Sequence, residues 1–153
     1  MKTPEQRLAE LGLEVPELAA PVAAYVPAVR TGNHVYTSGQ LPWADGKLVA
    51  EGKVGGGVTP ETGAECARYC ALNALAAVRA EVGDLSRIVR IVKVLVFVSS
   101  TTDFTGQPGV ANGASELLGE VFGDAGQHAR SAVGVPVLPL DTPVELEMVV
   151  EVS

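Results

Sequence analysis

A chain of 153 residues, 47% of them apolar, suits one domain with a sizeable core, and its Ala and Val content favours close packing of helices on a sheet. Eleven scattered Lys and Arg under a formal net charge of -7 exclude nucleic acid as an expected main partner. The polar start MKTPEQRLAELG lacks an apolar segment and a cleavage site, and the longest apolar run, IVRIVKVLVFV, is broken by Arg90 and Lys93. No membrane contact is expected, and the cytoplasm is the expected compartment.

In chain order, Thr3 reads as an N-cap, Pro4 as a first helical residue and Gly12 as a stop, which predicts a short helical extension at about 3–12. LEVPELAAPVAAYVPAV, with Pro16, Pro21 and Pro27, reads as an irregular lead-in ending in a strand near Tyr25 to Arg30. TGN is a turn signal, and HVYTSGQLP predicts a strand with Val35 and Thr37 on one face and His34, Tyr36 and Ser38 on the other. Gly39 breaks it. In the Gly-rich connection that follows, ADG predicts a tight turn, and Leu48 and Val49 a weak strand. Thr59 and Pro60 open the longest helix, near 59–82, whose apolar face carries Ala67, Cys70, Ala74, Ala77 and Val78. Ile88 to Val98 is apolar on both parities apart from Arg90 and Lys93, as in a central strand covered on both faces. After the polar loop SSTTDFTGQPG, a second helix is predicted from Val110 to Phe122, then strands at Arg130 to Val137 and Val144 to Val152, joined by the turn LPLDTP.

This order predicts an α+β sandwich, a mixed β-sheet with two main helices on one face, in a single domain spanning 1–153. There is no third long helix to cover the sheet's other face, so burial against copies of the same chain is expected. Cys66 and Cys70 lie one helical turn apart and read as small buried apolar residues, with no His or Asp cluster nearby to make a metal site.

Arg130 stands out as a candidate site residue, because its planar fork can hold a carboxylate or phosphate by two parallel hydrogen bonds. It is expected to lie across a hairpin from Glu145 and Glu147, either of which can serve as a general base or position a water. The plainer readings are a surface ion pair and a solvated strand face. SGQ at 38–40 ends a strand at a residue that admits close backbone approach by a ligand, or simply a turn. Tyr25, Asn112 and Ser131 are further polar candidates. His34 and His128 come without a Ser or Cys nucleophile signature and read as structural or exposed. KVGGGVTP matches neither common phosphate-binding glycine pattern.

Several segments agree, in order, with one family: YVPAVRTGNHVYTSGQLP, TPETGAECARYCALNAL, GDLSRIVRIVKVLVFV, HARSAVGVPVLP and VELEMVVEV. By these, from about Ala20 to Val152, the chain resembles the Rid/YjgF family of reactive-intermediate deaminases. The resemblance implies a chorismate-mutase-like fold of the bacterial trimeric type, a homotrimer and active sites between subunits. It also implies hydrolysis of enamines and imines of the 2-aminoacrylate/2-iminopropanoate type to 2-oxo acids and ammonia, with no metal or organic cofactor. By similarity Arg130 grips the substrate carboxylate and Glu145 serves the attacking water, while Tyr25, Ser38, Gly39 and Asn112 match other pocket positions. The chain departs from the better-known members in three places. His128-Ala129 stands where Pro-Ala is common, Ala132 stands where Cys is frequent, and the N-terminal helix and the 100–113 loop are additions. It resembles a less characterised subgroup of longer members.

The alternative is a non-catalytic trimer that binds a small carboxylate as a sensor or partner module. Both readings need Arg130, and only the deaminase needs Glu145 and a positioned water. Ribonuclease activity, ascribed to some relatives, fits poorly with the net charge. A chaperone-like role is also ascribed to relatives.

Overall fold

The computed structural model describes residues 1–18 and 24–153. Part of the expected lead-in, 19–23, lies outside the described residues. The first helix, α1 (Pro4–Glu10), starts where expected: Thr3 Oγ1 accepts the Gln6 N–H while the Gln6 side chain accepts the Thr3 N–H, a reciprocal cap. Leu8 is its buried anchor, and the Glu5 carboxylate accepts the Leu85 N–H, tying the extension to the body.

Strands β1 (Ala28–Thr31) and β2 (His34–Thr37) form a hairpin, and β2 alternates as predicted, Val35 and Thr37 buried and His34 and Tyr36 exposed. The expected strand from Tyr25 begins instead at Ala28, after Pro27. A small hairpin, β3 (Trp43–Ala44) and β4 (Lys47–Leu48), turns at Asp45 and Gly46, both at positive φ, as two-residue hairpin turns require.

The long helix α2 (Pro60–Val82) is capped by the Thr59 side chain and carries Pro60 in its first turn, where a missing N–H costs nothing. Ala67, Cys70, Ala74, Ala77 and Val78 are all buried, and so are Ala71, Leu72 and Leu75, because α2 has neighbours on more than one side. Strand β5 (Ile88–Ser99) follows, then α3 (Gln107–Phe122), β6 (Ala129–Val135) and β7 (Val144–Val152). Helix α3 begins three residues before the expected Val110, since Pro108 fits its first turn, which shortens the expected 100–113 loop. Strand β6 ends at Val135, short of the expected Val137.

The five-stranded sheet has the order β1-β2-β7-β5-β6, with β5 and β6 parallel and the other pairs antiparallel. The hairpin expected between Arg130 and Glu145 is therefore absent. The parallel pairing of β5 and β6 needs a crossover, which α3 supplies, and the chain then passes to the far side of β5 to lay down β7. Val35, Val94, Val96, Val98, Leu146, Met148 and Val150 form the helix-facing side of the sheet, fully or almost fully buried. Burying each such side chain contributes roughly 2 kcal/mol.

Helices α2 and α3 touch at Gly113, where a Cβ would stand 1.9 Å from the Ala64 carbonyl oxygen. No side chain fits there without parting the helices. The opposite face of the sheet has no helix among the described residues. It leaves Val29, Tyr36 and Val133 at 52%, 49% and 42% exposure.

Candidate functional site

The residues singled out by sequence gather in two places. The first lies where β6 meets α3. Arg130 pairs in register with Val94, and Val94 with Met148, so it shares the helix-facing side of the sheet but stands at its edge. Its Nη1 donates to Asn112 Oδ1 at 2.7 Å and to Ser115 Oγ at 3.1 Å. Asn112 and Ser115 are three residues apart on α3, hence on one face of the helix. These bonds use both Nη1 protons. Among the described residues nothing accepts from Nε or Nη2, so one edge of the fork is left for a ligand.

The network continues to His128. Its Nδ1 lies 2.6 Å from the Gly126 carbonyl oxygen and its Nε2 lies 2.9 Å from Ser115 Oγ. The carbonyl can only accept, so Nδ1 carries the proton, and in the neutral ring Nε2 then accepts from the Ser115 hydroxyl. The sequence reads His128 as structural or exposed; the structure gives it a serine partner. A cavity of about 300 Å³ opens here, lined by Ser115, Gly119, Gly126, Gln127, His128 and Arg130. Ser115 was missed because the Asn112–Ser115 spacing points to one helix face without saying what approaches it. The place of His128 in this network is not legible in the sequence, because the turn Gly123–Gly126 sets its position.

The second cluster lies at the end of β2. The Ser38 hydroxyl donates to the Val26 carbonyl at 2.6 Å, and the Ser38 N–H donates to the Pro27 carbonyl at 2.8 Å. Together these bonds hold the segment beside the exposed Tyr25 against the strand end. Gly39 does admit a close approach, by Glu145: a Cβ on Gly39 would meet Glu145 Cδ at 2.9 Å. Glu145 pairs with Phe97 and Glu147 with Leu95, on the face away from the helices. Partial burial of Glu145, helped by the Glu147 charge, raises the Glu145 carboxyl above its ordinary range. Among the described residues no group donates a hydrogen bond to it. A carboxylate with raised proton affinity suits a proton acceptor.

Ser131 belongs to neither cluster. It pairs with Leu95, on the same face as Glu147, and accepts a hydrogen bond from Lys93 Nζ at 3.3 Å. A cavity of about 270 Å³ on this face is lined by Tyr36, Lys93, Leu95 and Glu147, among others.

Within one chain Arg130 and Glu145 point to opposite faces, with β5 between their strands and three residues of offset along it. Strand spacing and rise put their Cα atoms roughly 14 Å apart. One small molecule cannot touch both in the same chain. Cys66 and Cys70 are free and buried; burial, helped by Glu65, pushes the Cys66 thiol up to about 11, and burial raises Cys70 well above its ordinary value. Neither is a ready nucleophile. The described residues include no group of three or more His, Cys, Asp or Glu able to hold a metal ion, and no helix long and apolar enough to cross a membrane.

Comparison with known proteins agrees on a family. Residues 5–152 match the model described as "YjgF/chorismate_mutase-like, putative endoribonuclease". The chain is 44% identical over 147 residues to Protein TCP17 of Trypanosoma cruzi, covering 95% of this chain and 92% of that one. It is 31% identical over 141 residues to a 2-iminobutanoate/2-iminopropanoate deaminase of Dermatophagoides farinae, covering 92% and 95%. A crystal structure of a protein of unknown function from Agrobacterium tumefaciens superposes with a TM-score of 0.93 at 44% identity, covering 98% of this chain and 92% of that one. The α+β fold is thus chorismate-mutase-like, and the chain belongs to the Rid/YjgF family.

Proposed function

We propose that the protein hydrolyses reactive 2-imino acids and their enamine tautomers to 2-oxo acids and ammonia, in sites formed between copies of the chain in a homotrimer. The observation that carries this reading is the state of Arg130. Its guanidinium is anchored through Nη1 while the Nε–Nη2 edge, two parallel donors at carboxylate spacing, is left open. The likeness to a named imine deaminase supports the same chemistry.

In this reading Arg130 grips the substrate carboxylate and so fixes the adjacent C=N carbon. Glu145, from a neighbouring copy, accepts a proton from the attacking water, and the new C–O bond forms at the protonated imine carbon. Glu145 passes that proton to the amine of the carbinolamine and then takes the hydroxyl proton as the C–N bond breaks, so that ammonia leaves, the oxygen becomes the carbonyl of the 2-oxo acid, and the last proton departs with the ammonia. The bare, partly apolar sheet face supports the assembly, since a monomer would leave Val29, Tyr36 and Val133 in water. RNA cleavage is not proposed, because a net charge of -7 opposes a phosphate backbone.

The test generates 2-aminoacrylate from serine with a PLP-dependent dehydratase and follows imine decay with and without the protein, Arg130→Ala alongside. Acceleration by the wild type alone supports the deaminase. No acceleration by a verified trimer favours the second reading, a non-catalytic carboxylate-binding module, which the separation of Arg130 from Glu145 within one chain keeps in play.

A further inference from the structure

We infer that Ser115 and His128 are positioning residues for Arg130, forming a one-way hydrogen-bond relay that aims the open edge of its guanidinium. The inference rests on the reading of Arg130 as a carboxylate clamp and adds residues that the reading does not need.

The direction of the relay follows from its ends. The Gly126 carbonyl accepts the His128 Nδ1 proton at 2.6 Å, which in the neutral ring leaves Nε2 as an acceptor. The Ser115 hydroxyl, 2.9 Å away, spends its only proton on Nε2 and turns its oxygen lone pairs to Arg130 Nη1 at 3.1 Å. Without His128 the hydroxyl is free to rotate, and it can point its proton toward the cation. With His128 in place, Ser115 is a fixed acceptor, and Asn112 Oδ1 at 2.7 Å fixes the second Nη1 proton. Two acceptors on a rigid helix define the guanidinium plane, so the side chain is ordered before a ligand arrives. An arginine carries substantial rotamer entropy, and ordering it in advance removes that cost from binding. Ser115 is not read as a nucleophile, because Arg130 Nη1 sits on its oxygen.

The plainer role for the same bonds is to staple the turn Gly123–Gly126 to α3. The two roles separate by coupling, since a positioning residue acts only while Arg130 is present. The experiment measures the Kd of 2-oxobutanoate, the unreactive product-type acid, by calorimetry on the assembled protein. Ser115→Ala and His128→Leu are each made in the wild-type and the Arg130→Ala backgrounds. Each is expected to weaken binding about tenfold in the first and to have no effect in the second. His128→Gln, whose amide oxygen reaches the place of Nε2, should recover most of the loss. In imine hydrolysis the same variants should raise KM more than they lower kcat.

Equal losses in both backgrounds, or no rescue by glutamine, would overturn the relay and leave the clamp standing. Wild-type binding that is unchanged by Arg130→Ala would overturn the clamp, and the relay with it.

Discussion

The two clusters are built on opposite principles. Around Arg130 the charged group is wired: both Nη1 protons are engaged, the acceptors sit on a helix, and one of them, Ser115, is itself bonded to His128. Around Glu145 the carboxylate is packed rather than wired. It lies over a glycine, half out of water and near a second carboxylate, and no described residue donates to it. Wiring fixes geometry, which a group that orients a ligand needs. Packing without donors raises proton affinity, which suits a group that takes a proton.

Arg130→Ala should cause the largest change, lowering kcat/KM for imine hydrolysis about a thousandfold, with 2-oxobutanoate binding weakened but still measurable. Arg130→Lys, which keeps the charge and loses the fork, should recover little of it. Glu145→Gln should lower kcat about a hundredfold while 2-oxobutanoate still binds. Loss of binding in that variant would mean that the two clusters do not divide their work as described. Co-expression of Arg130→Ala with Glu145→Gln should return about a quarter of wild-type activity, because random pairing of copies rebuilds that share of sites from two intact halves. Complete inactivity of the mixture would sink the shared site. Gly39→Ala should cost about tenfold in kcat, since its Cβ displaces the Glu145 carboxylate, and should leave Kd unchanged.

The smallest effect is on stability. The Glu145 pKa is raised in the fold, so its ionised form opposes folding at neutral pH and its protonated form does not. Glu145→Gln should therefore raise Tm at neutral pH, and the advantage should shrink as pH falls into the ordinary carboxylate range. The acid limb of the kcat/KM profile should likewise sit above that range. An unchanged Tm would mean that Glu145 is better solvated than its packing implies.

Much of this architecture was legible in the residues. Thr3-Pro4 and Thr59-Pro60 mark helix starts by capping chemistry, and strict alternation places Glu145 and Glu147 on one face of β7. What alternation cannot state is which strand lies alongside. The chain runs from β6 to β7 through a short connection and still leaves β5 between them, so the partner of Arg130 was misread. The start of α3 was hidden because Gln107-Pro108-Gly109 has the composition of a turn. Arg130, from its fork, and Asn112, as a polar candidate, were legible as separate positions, and the family resemblance added their roles. Their bond, and the Ser115–His128 link behind it, needed the crossing of a helix over a sheet edge.

Gly113 stands next to Asn112, and its contact with Ala64 bears on how this chain can drift over generations. Gly109 and Gly119, on the same helix, have open space where a side chain would go, and replacement there adds no clash. Gly113 has none. Even alanine would lift α3 and carry Asn112 and Ser115 out of reach of Arg130, so selection for the ligand and selection for the fold act on the same codon. Among sequences that keep Arg130, position 113 should be the least variable glycine of the three.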